Sequence, residues 1–119
     1  MRYLCLVYGE ERTLDARSKA ESEALVRDSI DYDEALRNSG HLVVAHALAP
    51  VRSAKTVRVR NKKASTTDGP FAETKEQLLG FILIEAADEN DALRVAAKIP
   101  LASVGSVEVR AIKELAVDS

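Results

Sequence analysis

The spacing of apolar residues changes period several times along this chain, and each change predicts an element. Arg2 to Tyr8 is an almost continuous apolar run ended by Gly9, with Tyr3, Cys5 and Val7 on one face and Leu4, Leu6 and Tyr8 on the other. Period-two alternation with both faces apolar predicts a central strand covered on both sides. From Ser18 to Ser39 the period becomes helical. Ser18 and Glu21 have capping-box spacing. Leu25, Ser29, Tyr32 and Leu36 form one stripe with Val26 and Ile30 beside it, and Asn38-Ser39-Gly40 is a stop signal. The opposite face carries Arg27, Asp28, Asp31, Glu34 and Arg37.

His41 to Leu48 predicts a second strand, closed by Ala49-Pro50, in which His46 shares a face with Leu42 and Val44. Lys55 to Arg60 sets Val57 and Val59 against Thr56, Arg58 and Arg60. With Asn61-Lys62-Lys63 as a turn and Ala64 to Thr67 as a return arm, this stretch predicts an inserted β-hairpin. Gly80 to Ala86 repeats the two-faced apolar pattern of the first strand. Asp88 caps a helix that runs to Lys98, with Asp91 at the capping-box position and Ala92, Val95, Ala96 and Ile99 as its stripe. Pro100 ends it. Gly105 opens a last strand, Ser106 to Ile112, with one wet face, and the tail from Lys113 onward is expected to fray.

The order strand, helix, strand, hairpin, strand, helix, strand predicts an α+β fold, a ferredoxin-like βαββαβ sandwich. Right-handed crossovers put both helices on one face of the sheet. The strands Tyr3–Tyr8 and Phe81–Ile84 are nevertheless apolar on both faces. The uncovered face would form a patch larger than a soluble monomer tolerates. A second copy packed sheet to sheet about a two-fold axis is the expected cover, giving a homodimer with a barrel-like core.

Composition bounds the rest. A length of 119 residues fits one domain spanning 1–119, and a net charge of -2 leaves no global nucleic-acid footprint. The apolar start is too short for a signal-peptide core or a membrane span, so a cytoplasmic, reducing compartment is expected, with neither nucleic acid nor membrane as a partner. Cys5 cannot form an internal disulfide and is expected as a buried hydrophobe. No phosphate loop, nucleophile elbow or metal-ligand spacing occurs, and no cofactor is expected.

Candidate chemistry concentrates in Asp68-Gly69-Pro70-Phe71-Ala72-Glu73-Thr74-Lys75-Glu76, where a turn runs through alternating charges into the most apolar strand. Asp-Gly predicts a tight reversal and Pro70 fixes its exit direction. Asp68 is a candidate general base or ligand anchor, and alternatively an Asx-turn residue. Gly69, Pro70, Phe71, Glu73, Lys75 and Glu76 are candidate ligand-binding residues; the three charged ones could instead pin the segment to a partner subunit. His46 is a candidate proton partner for Asp68, since imidazole titrates near neutral pH, or a half-buried strand residue. His41 is expected in solvent. Tyr3, Tyr8 and Tyr32 could line a pocket or simply pack. Arg52, Lys55, Arg58, Arg60, Lys62 and Lys63 make the hairpin basic, suiting an anionic partner or a protected sheet edge.

The segment Asp68 to Glu76 resembles the signature of the DGPF family, within the YCII-related proteins. Tyr3 to Gly9, Glu34-Ala35-Leu36-Arg37, Val57 to Arg60, Gly80-Phe81, Ile99-Pro100 and Gly105 to Arg110 extend the likeness across nearly the whole chain. The resemblance implies a dimeric ferredoxin-like α/β barrel of unestablished activity; the candidate residues themselves suggest a protein that binds or transforms a small molecule in the cleft between the sheet and the signature segment, near the dimer interface. A family link with extracytoplasmic-function sigma factors implies the alternative, a non-catalytic regulatory module. The His-Asp pair associated with the YCII branch does not carry over, because no His precedes His41 and Ile99 stands before Pro100.

Overall fold

The computed structural model describes residues 1–117. Within them lie β1 (Arg2–Gly9), α1 (Glu11–Asp15), α2 (Lys19–Asn38), β2 (Leu42–Ala47), β3 (Lys55–Arg60), β4 (Lys63–Asp68), β5 (Gln77–Glu85), α3 (Glu89–Ala97) and β6 (Ser106–Ala111). Short 3-10 turns occur at Val51–Ser53 and Pro100–Ser103. Four strands make an antiparallel sheet in the order β2-β5-β1-β6, while β3 and β4 pair with each other in a second sheet. This mixed α+β arrangement is consistent with a ferredoxin-like fold, in which each β-α-β unit brings its second strand back beside a strand of the other unit. Helix α1 has no counterpart among the expected elements; five residues are too few to show a helical period.

Local signals explain the long helices. Ser18 caps α2 through a reciprocal box with Glu21: the Ser18 hydroxyl accepts from the Glu21 N–H, and the Glu21 carboxylate accepts from the Ser18 N–H. In α3 only half of the expected box forms. The Asp88 carboxylate accepts from the Asp91 N–H, but Asp91 reaches past Asp88 to the Ala87 N–H at 3.0 Å.

The core lies between the sheet and the two long helices. Tyr3, Cys5, Val7, Ile82 and Ile84 pack with Leu36 of α2, with Ala92, Val95 and Ala96 of α3, and with Ile99 just beyond it. Cys5 and Ile84 are completely enclosed. Val26 and Ile30, expected beside the α2 stripe, stand instead in solvent at 57% and 62% exposure, because the sheet meets only the narrower stripe through Tyr32 and Leu36.

The other face of the sheet has no helix over it. Cross-strand partners share a face, so Leu4, Leu83, Val44 and Arg110 form one row and Leu6, Phe81, His46 and Glu108 the next. A bulge between Leu42 and Val44 corrects the expected strand faces. Leu42 pairs with Ile84 and packs on the core, whereas Val44 and His46 turn to the open face. One extra residue inverts the alternation, which period-two counting cannot anticipate.

Strand β5 starts at Gln77, three residues before the expected Gly80. Gln77 pairs with Gly9 and Leu78 with Tyr8 across a second bulge. Pairing with β1 here outweighs local propensity. Residues 112–117 form neither helix nor strand, and the remainder of the tail expectation lies outside the described residues.

The molecule is flat, 47 × 47 × 18 Å, with a radius of gyration of 16.6 Å. A compact chain of this length would have about 13–14 Å. Strands β3 and β4 join through Asn61 and Lys62, both at positive φ, the twist a two-residue hairpin requires. Val57 and Val59 on this arm are 61% and 58% exposed.

Candidate functional site

The signature segment is built by side chains that satisfy irregular backbone. Gly69 takes φ +97°, a conformation that suits glycine, and its N–H donates to the Ala54 carbonyl at 2.7 Å. The Thr56 hydroxyl donates to the Gly69 carbonyl at 2.9 Å, so the reversal is stitched to the start of β3. Further on, the Thr74 hydroxyl donates to the Glu76 carbonyl at 2.6 Å. The Gln77 amide donates to the carbonyls of Ala72 and Thr74. Backbone groups of a loop without ladder partners are thereby paired.

The candidate residues separate on this frame. Asp68 ends β4 and does not close an Asx-turn; its carboxylate accepts from Lys55 Nζ at 2.5 Å, in a highly exposed pair. Such a pair is worth about 1 kcal/mol or less. Lys75 lies 3.8 Å from Glu10, and Glu73 is exposed. Glu76 is half-buried, and its Oε1 accepts from the Ser106 hydroxyl at 2.8 Å. The three charged residues of the segment thus have different surroundings and form no cluster.

A cavity of about 710 Å3 opens beside the segment. Pro70, Phe71, Ala72, Thr74 and Glu76 form one wall. Tyr8 and Leu78 form the floor, at the end of the open sheet face, and the stretch from Leu48 to Val57 closes the far side. Phe71 is 80% exposed, large for an aromatic ring. Neither Asp68 nor His46 lines this space, although Lys55, the partner of Asp68, does.

His46 instead stands edge-on to Phe81, with ring centres 5.8 Å apart, and borders a smaller cavity of about 140 Å3 between β2 and α2. Asp33 borders the same cavity, and burial raises its carboxyl above the ordinary value against a smaller opposing effect of Arg37. The tyrosines divide likewise. Tyr8 lines the large cavity, Tyr3 is core, and the Tyr32 hydroxyl donates to the Val95 carbonyl at 2.7 Å, tying α2 to α3.

The structure also joins residues that the sequence kept apart. His41 is not in open solvent as expected: its Nε2 lies 3.0 Å from Asp91 Oδ2 and its Nδ1 2.7 Å from Ser39 Oγ. Arg94 donates to the other Asp91 oxygen at 3.1 Å. Hydrogen bonds from the Ala87 N–H, from His41 and, more weakly, from Arg94 hold the Asp91 carboxyl below the ordinary carboxylate range against the opposing effect of burial. Chemically this is a serine–imidazole–carboxylate chain, but it bridges the end of α2, the start of β2 and the start of α3, where it latches three elements. No local spacing could reveal it, since His41 and Asp91 are fifty positions apart.

Among the described residues, no three His, Cys, Asp or Glu side chains gather closely enough to hold a metal ion, and no helix is long and apolar enough to cross a membrane. Comparison with known proteins agrees with the overall architecture. The model of the YCII-related domain matches residues 1–116. An uncharacterized protein of Rhizobium meliloti (strain 1021) is 41% identical over 112 residues, covering 92% of this chain and 90% of that protein. With a family match over almost the whole chain and a relative aligned over most of both lengths, this protein belongs to the YCII-related domain family.

Proposed function

We propose that this chain is a DGPF-type member of its family that pairs sheet to sheet as a homodimer and binds or transforms a small and largely apolar molecule beside the signature segment. The observation that carries the reading is the cavity of about 710 Å3 walled by Pro70, Phe71 and Glu76 and floored by Tyr8 and Leu78. Concave, mostly apolar sites with a few convergent polar groups are the usual form of ligand sites. Its floor is continuous with the open sheet face, so a second copy on that face would stand at its edge. Asp68 acts in this reading by holding Lys55 in the cavity wall, and His46 belongs to the dimer face beside Phe81.

A thermal-shift screen of small aromatic and aliphatic compounds tests the reading, repeated on Phe71→Ala and Asp68→Asn. Stabilising compounds should lose their effect in Phe71→Ala. Hits indifferent to that change would place the ligand elsewhere, and hits indifferent to Asp68→Asn would remove Asp68 from the site.

One observation favours a second reading. The β3–β4 arm stands off the body with Arg58, Arg60, Lys62 and Lys63 exposed. In that reading the dimer is a non-catalytic accessory module, and the arm and the charged face of α2 contact an acidic protein partner, one that acts in sigma-factor-dependent transcription. Neutralising the four arm residues should then abolish partner capture while leaving ligand-induced stabilisation intact.

A further inference from the structure

We propose that the molecule held in the signature cavity is an apolar body bearing a protonated amine, and that Glu76 recognises the amine. The inference rests on reading the cavity as a ligand site and adds the chemical class of the ligand.

Charge decides the class. Of the residues lining the cavity only Tyr8, Lys55 and Glu76 are ionisable. Lys55 is already neutralised by Asp68. Glu76 takes part in no ion pair of the described residues, so one negative charge remains on a wall that is otherwise mostly apolar. A carboxylate beside apolar surface is stabilised by a cation that brings its own hydrogen-bond donors.

Position supports the same conclusion. The backbone of Glu76 is fixed by the Thr74 hydroxyl, and its Oε1 is fixed by Ser106. Oε2 has no hydrogen-bond donor among the described residues, so a residue that lines the cavity keeps one unused acceptor on a carboxylate already held through its other oxygen. A carboxylate held this way needs little further ordering when a ligand arrives. Tyr8 and Phe71 present aromatic rings to the same space, and ring faces attract ammonium groups. The exposure of Phe71 is what a ring awaiting an apolar ligand would show.

The test uses three probes of one shape: 4-phenylbutylamine, 4-phenylbutanol and 4-phenylbutyrate, titrated calorimetrically into the full-length protein and into Glu76→Gln. The amine should bind at least tenfold more tightly than the alcohol and the carboxylate to the unaltered protein, and added salt should narrow the gap. Glu76→Gln should weaken the amine at least tenfold and leave the alcohol unchanged. Equal binding of amine and alcohol, or tighter binding of the carboxylate, would overturn the inference while leaving the cavity as a ligand site. Binding of none of the three to the unaltered protein would overturn both. The ranking on the unaltered protein needs no variant, so a Glu76→Gln chain that failed to fold would not rescue the idea.

Discussion

Single side chains in this protein behave according to where the sheet puts them. Cys5 is fully enclosed, and burial pushes its thiol up to about 11. A thiol that cannot ionise near neutral pH is a poor nucleophile. Ellman's reagent at pH 8 should therefore leave the native protein unlabelled and modify one thiol per chain after denaturation; rapid labelling of the folded form would contradict the packing. Asp33 offers a test with a definite sign. Its folded carboxyl is raised above 3.8, so ionising it opposes folding, a cost absent below that value and complete once pH exceeds the folded value. Asp33→Asn should raise stability at pH 7 by up to about 0.5 kcal/mol, the usual scale for a partly exposed site, and by nothing near pH 3. Asp91 has the opposite sign. Its depressed carboxyl supports the fold above its ordinary value and loses that support as pH falls through its folded value, so the latch to His41 should fail in acid.

At the scale of elements, caps and stops were legible because their chemistry is local. Ser18 with Glu21, the glycine after α2, and Pro100 after α3 each act within four residues of the boundary they set. Asp88 is the sharpest case: its carboxylate satisfies the Asp91 N–H at 2.8 Å. Asp88→Ala should cost about 1 kcal/mol in chemical denaturation, the usual value of an N-cap. An unchanged midpoint would mean that Asp91, through Ala87 and His41, secures the start of α3 alone. What local chemistry could not disclose were the bulges. The inversion at Leu42–Val44 and the early start of β5 depend on which strand lies alongside, and that partner comes from a distant part of the chain. Gly105 belongs to the same class. A Cβ there would stand 2.1 Å from the Tyr8 carbonyl oxygen, a close approach created by β1 passing beside the entry to β6.

For the molecule as a whole, the open sheet face is the feature with consequences. Leu4, Leu6, Phe81 and Leu83 are half-buried by one another and uncovered from above. If a second copy covers them, Phe81→Asp should turn a sedimenting dimer into a monomer with unchanged far-ultraviolet circular dichroism. A monomer before any substitution, at micromolar concentration, would overturn the proposed pairing. Losing the partner should also weaken ligand binding, since the cavity floor at Tyr8 and Leu78 continues that face.

The amino-acid sequence by itself determined the order of the strands, the long helices, the two-faced character of the central strands and the turn at Asp68-Gly69-Pro70. Those properties follow from period, capping and turn chemistry, which act over a few bonds. Only the tertiary structure decided that Glu76 meets Ser106, that Asp68 turns to Lys55, that His46 shares a face with Phe81 and that His41 finds Asp91. Each of those meetings joins separate strands or helices, and its geometry is set by sheet register, where one bulged residue moves a side chain to the opposite face.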